Sequence, residues 1–531
     1  MPSIEPCLEL RTYFGPVDAS LYGALHLPVS RRARGAVLLV PPLGKEQYDA
    51  LRGLRRLATL LAAEGLAVLR FDYRGTGDSC GPSGTADAVD GWIDTVRHAD
   101  AYLRGLGLGA PAVVALRAGA AIAGAAGLTP PAAVLWDAVG GRAYTRAQAA
   151  LAGMAIGAGP GSWVGMDVHA DAVQALAALP AQALTAPRLL IADRPGAPST
   201  GPDGAQRIVA AGMPEFLEPP THLVRIPDAV IAEIVAWTAA ALPDAPATEV
   251  DPAIRTRARH DGVEERIEDI GGVAAIRTLP DEGAAPHRSV LLCATANDTR
   301  HGPNRAWVHL AREAARAGAA ALRYDRRGAG ESGPVGPAEI VPLFPATAVD
   351  DVVAAAGALE GPILTTGVCS GSWYAAHAAR AVHADAAVLV NAVLYSWRVK
   401  AGIAGAPEAD LGVPRSDPSF ARSPRGRIKD LLRRRLPYPA WRLLGGRGIT
   451  QVPEVLLRPV VADGTDTVLV LAPPDAAWFD GQRGPEGVRR LAGRTGGAIR
   501  LVRIGTGDHP AYHPEVRAAV ATAIMQWCEQ R

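Results

Sequence analysis

The decapeptide RFDYRGTGDS at residues 70–79 returns as RYDRRGAGES at 323–332, an offset of 253. The apolar run VLLVPP at 37–42 meets VLLCAT at 290–295 at the same offset, and ALRAG at 115–119 meets GVCSG at 367–371 at an offset of 252. Three landmarks at nearly one spacing mean that a single unit of about 250 residues is used twice. Farther along the offset grows. PRLLIAD at 187–193 resembles TVLVLAP at 467–473 at an offset of 280, and THLVRIPDAV at 221–230 resembles DHPAYHPEVR at 508–517 at an offset of 287. The second copy thus carries about 28 additional residues within 396–463, where a helical cap is expected.

Each copy alternates apolar β-type runs with Ala/Leu-rich helical stretches. AVLLV, LRRLATLLAAEG and AVLRFDY in the first copy correspond to SVLLCAT, WVHLAREAARAG and AALRYDR in the second. Strands that are apolar at every position belong to a parallel sheet covered by helices on both faces. Two tandem α/β domains are therefore expected, at 1–245 and 258–531. The segment 246–257, rich in Pro, Ala and charge, is expected to link them.

Composition then removes several function classes. Lys+Arg 54 against Asp+Glu 53 leave a net charge of +1, so no chain-wide basic field exists to hold nucleic acid. Aromatics at 5% offer few platforms for stacked bases. No apolar run reaches the roughly 18 residues of a membrane span, and MPSIEPCLELR lacks the pattern of a signal peptide. The five cysteines (Cys7, Cys80, Cys293, Cys369, Cys528) form no CxxC pair, which fits a reducing, cytoplasmic setting. There is no HExxH spacing, Cys/His cluster or phosphate-binding Gly-rich loop, so neither a metal nor a cofactor is expected.

The chemistry concentrates in GPILTTGVCSGSWYAAHAARAV, residues 361–382: a strand, a tight turn, then a helix of small residues. Gly367-Val368-Cys369-Ser370-Gly371 has the G-x-Nuc-x-G spacing of a nucleophile elbow, with cysteine at its centre. The flanking glycines suit a strained turn packed closely on a helix. A thiolate above a helix N-terminus is a strong nucleophile that forms a thioester acyl-enzyme. The backbone N–H of Ser370 and one near Ala296 would form the oxyanion hole. The base belongs in the loop after IRLVRI (499–504), where His509 is preferred over His513, because His513 precedes Pro514 at the start of a helix. The acid belongs after the preceding strand, where Asp475 is preferred over Asp480. Trp373, Asn297 and Arg117 are candidates for substrate contact.

These residues carry a resemblance. Both copies resemble α/β-hydrolase fold domains in the D-x-R-G-x-G-x-S segment (Asp72 to Ser79, Asp325 to Ser332), the elbow and the late histidine loop. The first copy, with WDAVGGRAYTR at 136–146, is similar to hydrolase-like proteins associated with exosortase and exopolysaccharide systems. The second, with HGPNRAWVHLAREAARAG and GVCSGS, is similar to serine-aminopeptidase-like hydrolases, and its elbow cysteine also resembles that of dienelactone hydrolases. The resemblance implies acyl chemistry at Cys369, His509 and Asp475. In the first copy Arg117 stands at the nucleophile position, although Asp193 and His222 sit near the acid and base positions. A guanidinium stays protonated and cannot attack a carbonyl. That copy is expected to be non-catalytic, with Arg117 structural or binding an anion.

Three readings of function follow. The first is a thioesterase or acyltransferase working through a cysteine acyl-enzyme on a small-molecule or carrier-bound acyl group. The second is a non-catalytic tandem scaffold for an acyl carrier protein or carbohydrate. The third is an ester or peptide hydrolase that uses Ser370. The inserted segment carries Arg422, Arg425, Arg427, Lys429, Arg433, Arg434, Arg435, Arg442 and Arg447, a local cationic surface that an acyl carrier protein would fit.

Overall fold

The structure is a computed structural model. It describes residues 7–530 except 156, 158–160, 182–183, 198–201, 203, 282–284, 297, 337–341, 398–434 and 493–495. Contacts divide the chain into two compact units, Met1–Glu268 with Gly333–Ile340, and Asp269–Ser332 with Val341–Arg531. Residues 248–249 of the expected linker pair with 32–33 in the first unit. In the same segment Arg255 donates through its guanidinium to the carbonyls of Tyr13 and Gly15.

The first unit is built on an eight-stranded sheet. Its strands are β1 (Cys7–Phe14), β2 (Leu21–Pro28), β3 (Gly35–Val40), β4 (Leu66–Phe71), β5 (Ala112–Leu116), β6 (Ala132–Trp136), β7 (Arg188–Asp193) and β8 (Gln206–Val209). They lie in the order β1-β2-β4-β3-β5-β6-β7-β8, with β1 and β2 antiparallel and the strands from β4 on parallel. The second sheet has nine strands: β9 (Arg257–His260), β10 (Val263–Ile270), β11 (Val273–Pro280), β12 (Arg288–Leu292), β13 (Ala319–Tyr324), β14 (Ile363–Val368), β15 (Ala386–Val390), β16 (Asp466–Leu471) and β17 (Ile499–Arg503). Their order is β9-β10-β11-β13-β12-β14-β15-β16-β17. After β9, this repeats the arrangement of the first sheet, including the exchange of the third and fourth strands. This is the α/β-hydrolase strand order in each case.

The apolar pattern explains both sheets. Every residue of β3 and of β14 is buried. Along β3, Ala36, Leu38 and Val40 enter one core cluster, while Val37 and Leu39 enter another on the opposite face. Leu291 and Cys293, against Val290 and Leu292, divide in the same way in the second unit. Successive strand side chains point to opposite faces, so a strand with helices on both sides must be apolar throughout. Each fully buried aliphatic side chain of these central strands contributes roughly 1.5–3 kcal/mol.

The D-x-R-G-x-G-x-S segment forms the same turn twice. Asp72 accepts the N–H of Asp78, and Asp325 accepts that of Glu331, each at 3.0 Å. Ser79 and Ser332 donate their hydroxyls to the carbonyls of those aspartates, each at 2.7 Å. Ser79 then accepts the N–H of Tyr22 and Ser332 that of Ala274, which ties the turn to an antiparallel strand. Gly77 and Gly330 have φ of 47° and 51°, and a Cβ there would fall within 2.0 Å and 2.2 Å of the aspartate carboxyl. The motif is therefore a fold element.

The described part of the inserted segment includes two helices, Tyr438–Gly446 and Pro453–Ala462, with Tyr438, Trp441 and Val452 clustered between them. Trp397 Nε1 donates to the carbonyl of Val455, and Gln451 accepts the N–H of Tyr395. Residues 398–434, with Arg422, Arg425, Arg427, Lys429, Arg433 and Arg434, lie outside the described residues. Arg435 and Arg447 are exposed, and Arg442 pairs with the buried Glu454 at 3.1 Å. Among the described residues no helix is long and apolar enough to cross a membrane.

Candidate active site

The elbow follows β14 directly. Cys369 has φ 54° and ψ −115° and caps the helix Ser370–Val382. Its N–H donates to the carbonyl of Val390 at 2.9 Å. The neighbouring glycines are steric requirements. A Cβ on Gly367 would meet the backbone carbonyl of Gly371 at 2.3 Å, and one on Gly371 would meet Thr295 Oγ1 at 2.8 Å. We expect Gly367→Ala to destabilise the second unit by about 1–3 kcal/mol, the usual cost of overpacking. Chemical denaturation followed by tryptophan fluorescence checks it, and an unchanged midpoint would refute this account of the glycine.

His509 lies in the loop after β17, and Asp475 in the first turn of the helix Pro473–Gly481 that follows β16. His509 Nδ1 is 2.7 Å from Asp475 Oδ1, with the imidazole 22% exposed and the carboxylate fully buried. The Cys369 sulfur lies near enough to the imidazole to act on its pKa. Desolvation pulls the imidazole pKa down. Cys369 and the hydrogen-bonded carboxylate of Asp475 push it up, and they prevail, leaving it well above the ordinary histidine value. The three residues expected to carry the chemistry thus meet in one place, drawn from the ends of three strands.

The runner-up residues are engaged elsewhere. Asp480 forms a two-bonded ion pair with Arg503 on the surface. His513 caps the final helix, Pro514–Cys528, by accepting the N–H of Glu515 at 3.2 Å. The Ser370 side chain is fully buried, and its hydroxyl accepts the N–H of Ala296 at 2.9 Å. That arrangement corrects the expected oxyanion hole, because the Ala296 amide is already taken. The Ser370 backbone N–H opens the helix, where no helical partner exists for it. Asn297 lies outside the described residues. Trp373 is also corrected. It is a core residue, edge-on to Phe344 and His377, with its indole N–H donated to the Ser396 carbonyl.

Two residues that sequence reasoning missed hold the histidine loop. Asp508 accepts the N–H groups of Tyr512 and His513, at 3.1 and 2.7 Å, and burial raises its pKa. Asn391 follows β15 at φ 48° and donates to the carbonyls of Asp508 and His509. The repeat held a signal for the second of these, because both copies place a small polar residue after the corresponding strand: Asp137 in one and Asn391 in the other.

The first unit repeats the elbow with an arginine at its centre. Arg117 has φ 55° and donates its N–H to the Trp136 carbonyl at 3.0 Å, just as Cys369 does to Val390. Its guanidinium grips both oxygens of Glu46 at 3.1 and 3.2 Å and reaches Asp137 Oδ2 at 3.1 Å. Arg194 joins the same Asp137 oxygen at 2.7 Å and continues to Glu218. Burial raises the Glu46 pKa even against the pull of Arg117. Asp193, near the acid position, pairs with Arg207 at 3.2 Å. Arg117 is thus satisfied by the protein's own carboxylates. Removing one member of a buried ion pair strands the others. Arg117→Ala should therefore cost the first unit about 3–5 kcal/mol while leaving alkylation of Cys369 unchanged. Calorimetry alongside peptide-resolved thiol labelling checks both, and an unchanged unfolding temperature would refute the structural role.

No family model matches the chain, and no curated protein matches it. Solved structures do, each over about half of it. A dienelactone hydrolase from Anabaena variabilis is 15% identical and is matched over 50% of this chain and 97% of its own, with a TM-score of 0.29. The alpha/beta hydrolase domain-containing protein 10 from mouse is 14% identical over 50% and 97%, with a TM-score of 0.30. A thioesterase domain from the curacin biosynthetic pathway is 16% identical over 50% and 100%, also with a TM-score of 0.30.

Proposed function

We propose that the second unit is an acyl hydrolase or acyltransferase working through a cysteine acyl-enzyme. One observation carries the reading: an imidazole that a buried carboxylate holds at 2.7 Å is raised in pKa by the cysteine at the strained elbow as well as by that carboxylate. In the proposed reaction Cys369 passes its thiol proton to His509, its sulfur attacks the acyl carbon of a thioester or activated ester, and the carbonyl electrons move onto oxygen. The Ser370 N–H, at the head of a helix, faces that developing charge. As the tetrahedral centre collapses, His509 gives its proton to the departing thiol or alcohol. The neutral imidazole then takes a proton from water, an amine or an alcohol, which attacks the thioester and releases Cys369. A thioester is readily aminolysed, so transfer is as accessible to this site as hydrolysis.

The full burial of Ser370 and the engagement of its hydroxyl by the Ala296 N–H disfavour a serine mechanism at the next position. The satisfied Arg117 network supports a non-catalytic role for the first unit. The cationic run of the inserted segment is the feature that would suit an acyl carrier protein, and we extend the proposal to carrier-bound acyl groups. Stopped-flow release of thiol from a short acyl thioester tests the reaction. A burst stoichiometric with enzyme is expected, and its absence together with zero turnover across a thioester panel would defeat the proposal.

A further inference from the structure

We propose that Asn391 is a positioning residue for the Cys369–His509 pair, its carboxamide fixing the backbone of the histidine loop against the strand ends that carry the elbow and the acid. The inference rests on the cysteine acyl-enzyme reading above.

Asn391 comes directly after β15 and its side chain is fully buried. Its Nδ2 donates to the carbonyl of His509 at 2.8 Å and to that of Asp508 at 3.1 Å. Its Oδ1 accepts the N–H of Ala472 at 2.8 Å, and Ala472 caps the helix that presents Asp475. Its own N–H donates to the carbonyl of Val470 at 2.9 Å. One side chain therefore bridges the base loop and the start of the acid's helix. The elbow is tied to the same strand, because the Cys369 N–H donates to Val390, the residue before Asn391.

The residue type fits the task. Two donors at one end and an acceptor at the other require a carboxamide. Aspartate has the length but no donors. Asparagine also tolerates the left-handed backbone better than most residues. The first unit makes the contrast. Asp137 holds the equivalent place at φ 49°, and its N–H donates to Ala192 at 2.7 Å as Asn391 does to Val470. Its carboxylate turns instead to Arg117 and Arg194. The unit without a nucleophile also lacks the clamp.

The test is iodoacetamide alkylation of Cys369 as a function of pH, followed by peptide mass spectrometry in the full-length protein. It is paired with kcat and KM on an acyl thioester. His509→Asn defines the profile of the unpaired thiol. Asn391→Asp keeps size and backbone preference but loses both donors, and Asn391→Gly keeps only the backbone freedom. Both should move the alkylation profile toward that of His509→Asn and lower kcat by about tenfold or more at nearly constant KM, the signature of misplaced reacting groups. Wild-type profiles in both variants would mean that the position needs only its backbone conformation, and would overturn the proposal. A wild-type profile in His509→Asn would overturn the cysteine–histidine reading itself, and the proposal with it. That failure is recognisable because it arises with Asn391 intact.

Discussion

Cys369→Ala is expected to lower turnover of an acyl thioester by about 10⁴-fold or more, because in the proposed mechanism no other side chain at the elbow forms the covalent intermediate. Ser370 is adjacent but fully buried, with its hydroxyl held by the Ala296 N–H, so it is not expected to take over. Cys369→Ser keeps the volume of the side chain and tests the nucleophile more finely. A hydroxyl is a far weaker acid than a thiol and yields its proton only as it attacks. The serine variant must therefore be deprotonated during the reaction, and we expect it to lose about 10²-fold or more. Both variants should unfold at the wild-type temperature, since Cys369 is only partly buried. Near-wild-type turnover in Cys369→Ala would end the acyl-enzyme account.

Asp475→Asn lowers kcat by about 10²–10⁴-fold, the usual range when the orienting carboxylate of a base is lost. The carboxylate is fully buried and bonded to His509 Nδ1, so its removal frees the ring to rotate and removes a charge that favours the imidazolium. The direction of the pH effect follows. Desolvation alone would depress the imidazole pKa, and Cys369 and Asp475 reverse it. Without Asp475 the ring loses its proton at lower pH, and the alkaline limb of the pH–rate profile moves to lower pH. Stability changes in the same sense. A folded pKa above the unfolded one gives stabilisation that is complete below roughly pH 6.5 and is lost as pH rises through the folded value. Asp475→Asn should flatten that dependence. Kinetic profiles and thermal melts across pH measure both, and an unmoved alkaline limb would show that Asp475 does not set the state of His509.

The fold was legible because it is written twice. The repeated turn at Asp72 and Asp325 and the fully apolar strands each state the sheet locally, through spacing that any α/β unit must obey. Cys369 and His509 could be singled out for a related reason: the elbow glycines and the chain order leave few places for a nucleophile and a base. The acid could be narrowed only to Asp475 or Asp480, and the structure sets Asp475 against His509 and Asp480 against Arg503. What the sequence concealed were hydrogen-bond commitments. Nothing in GVCSGS says that the Ser370 hydroxyl would occupy the Ala296 amide, or that Trp373 would point into the core. Arg117 invited an anion-binding reading, but the carboxylates it holds come from its own unit: Glu46 from the first turn of a helix and Asp137 from the end of the neighbouring strand. Asn391 carries no motif, and its importance appears only where three loops meet.

The central claim is tested most directly by trapping the intermediate. The full-length protein is mixed with an acyl thioester, quenched in acid within a single turnover, and digested for peptide mass spectrometry. The account predicts one acyl group in thioester linkage on the peptide containing Cys369, released by neutral hydroxylamine. An acyl group on Ser370, or substrate consumed with no adduct on Cys369 at any time, would contradict it.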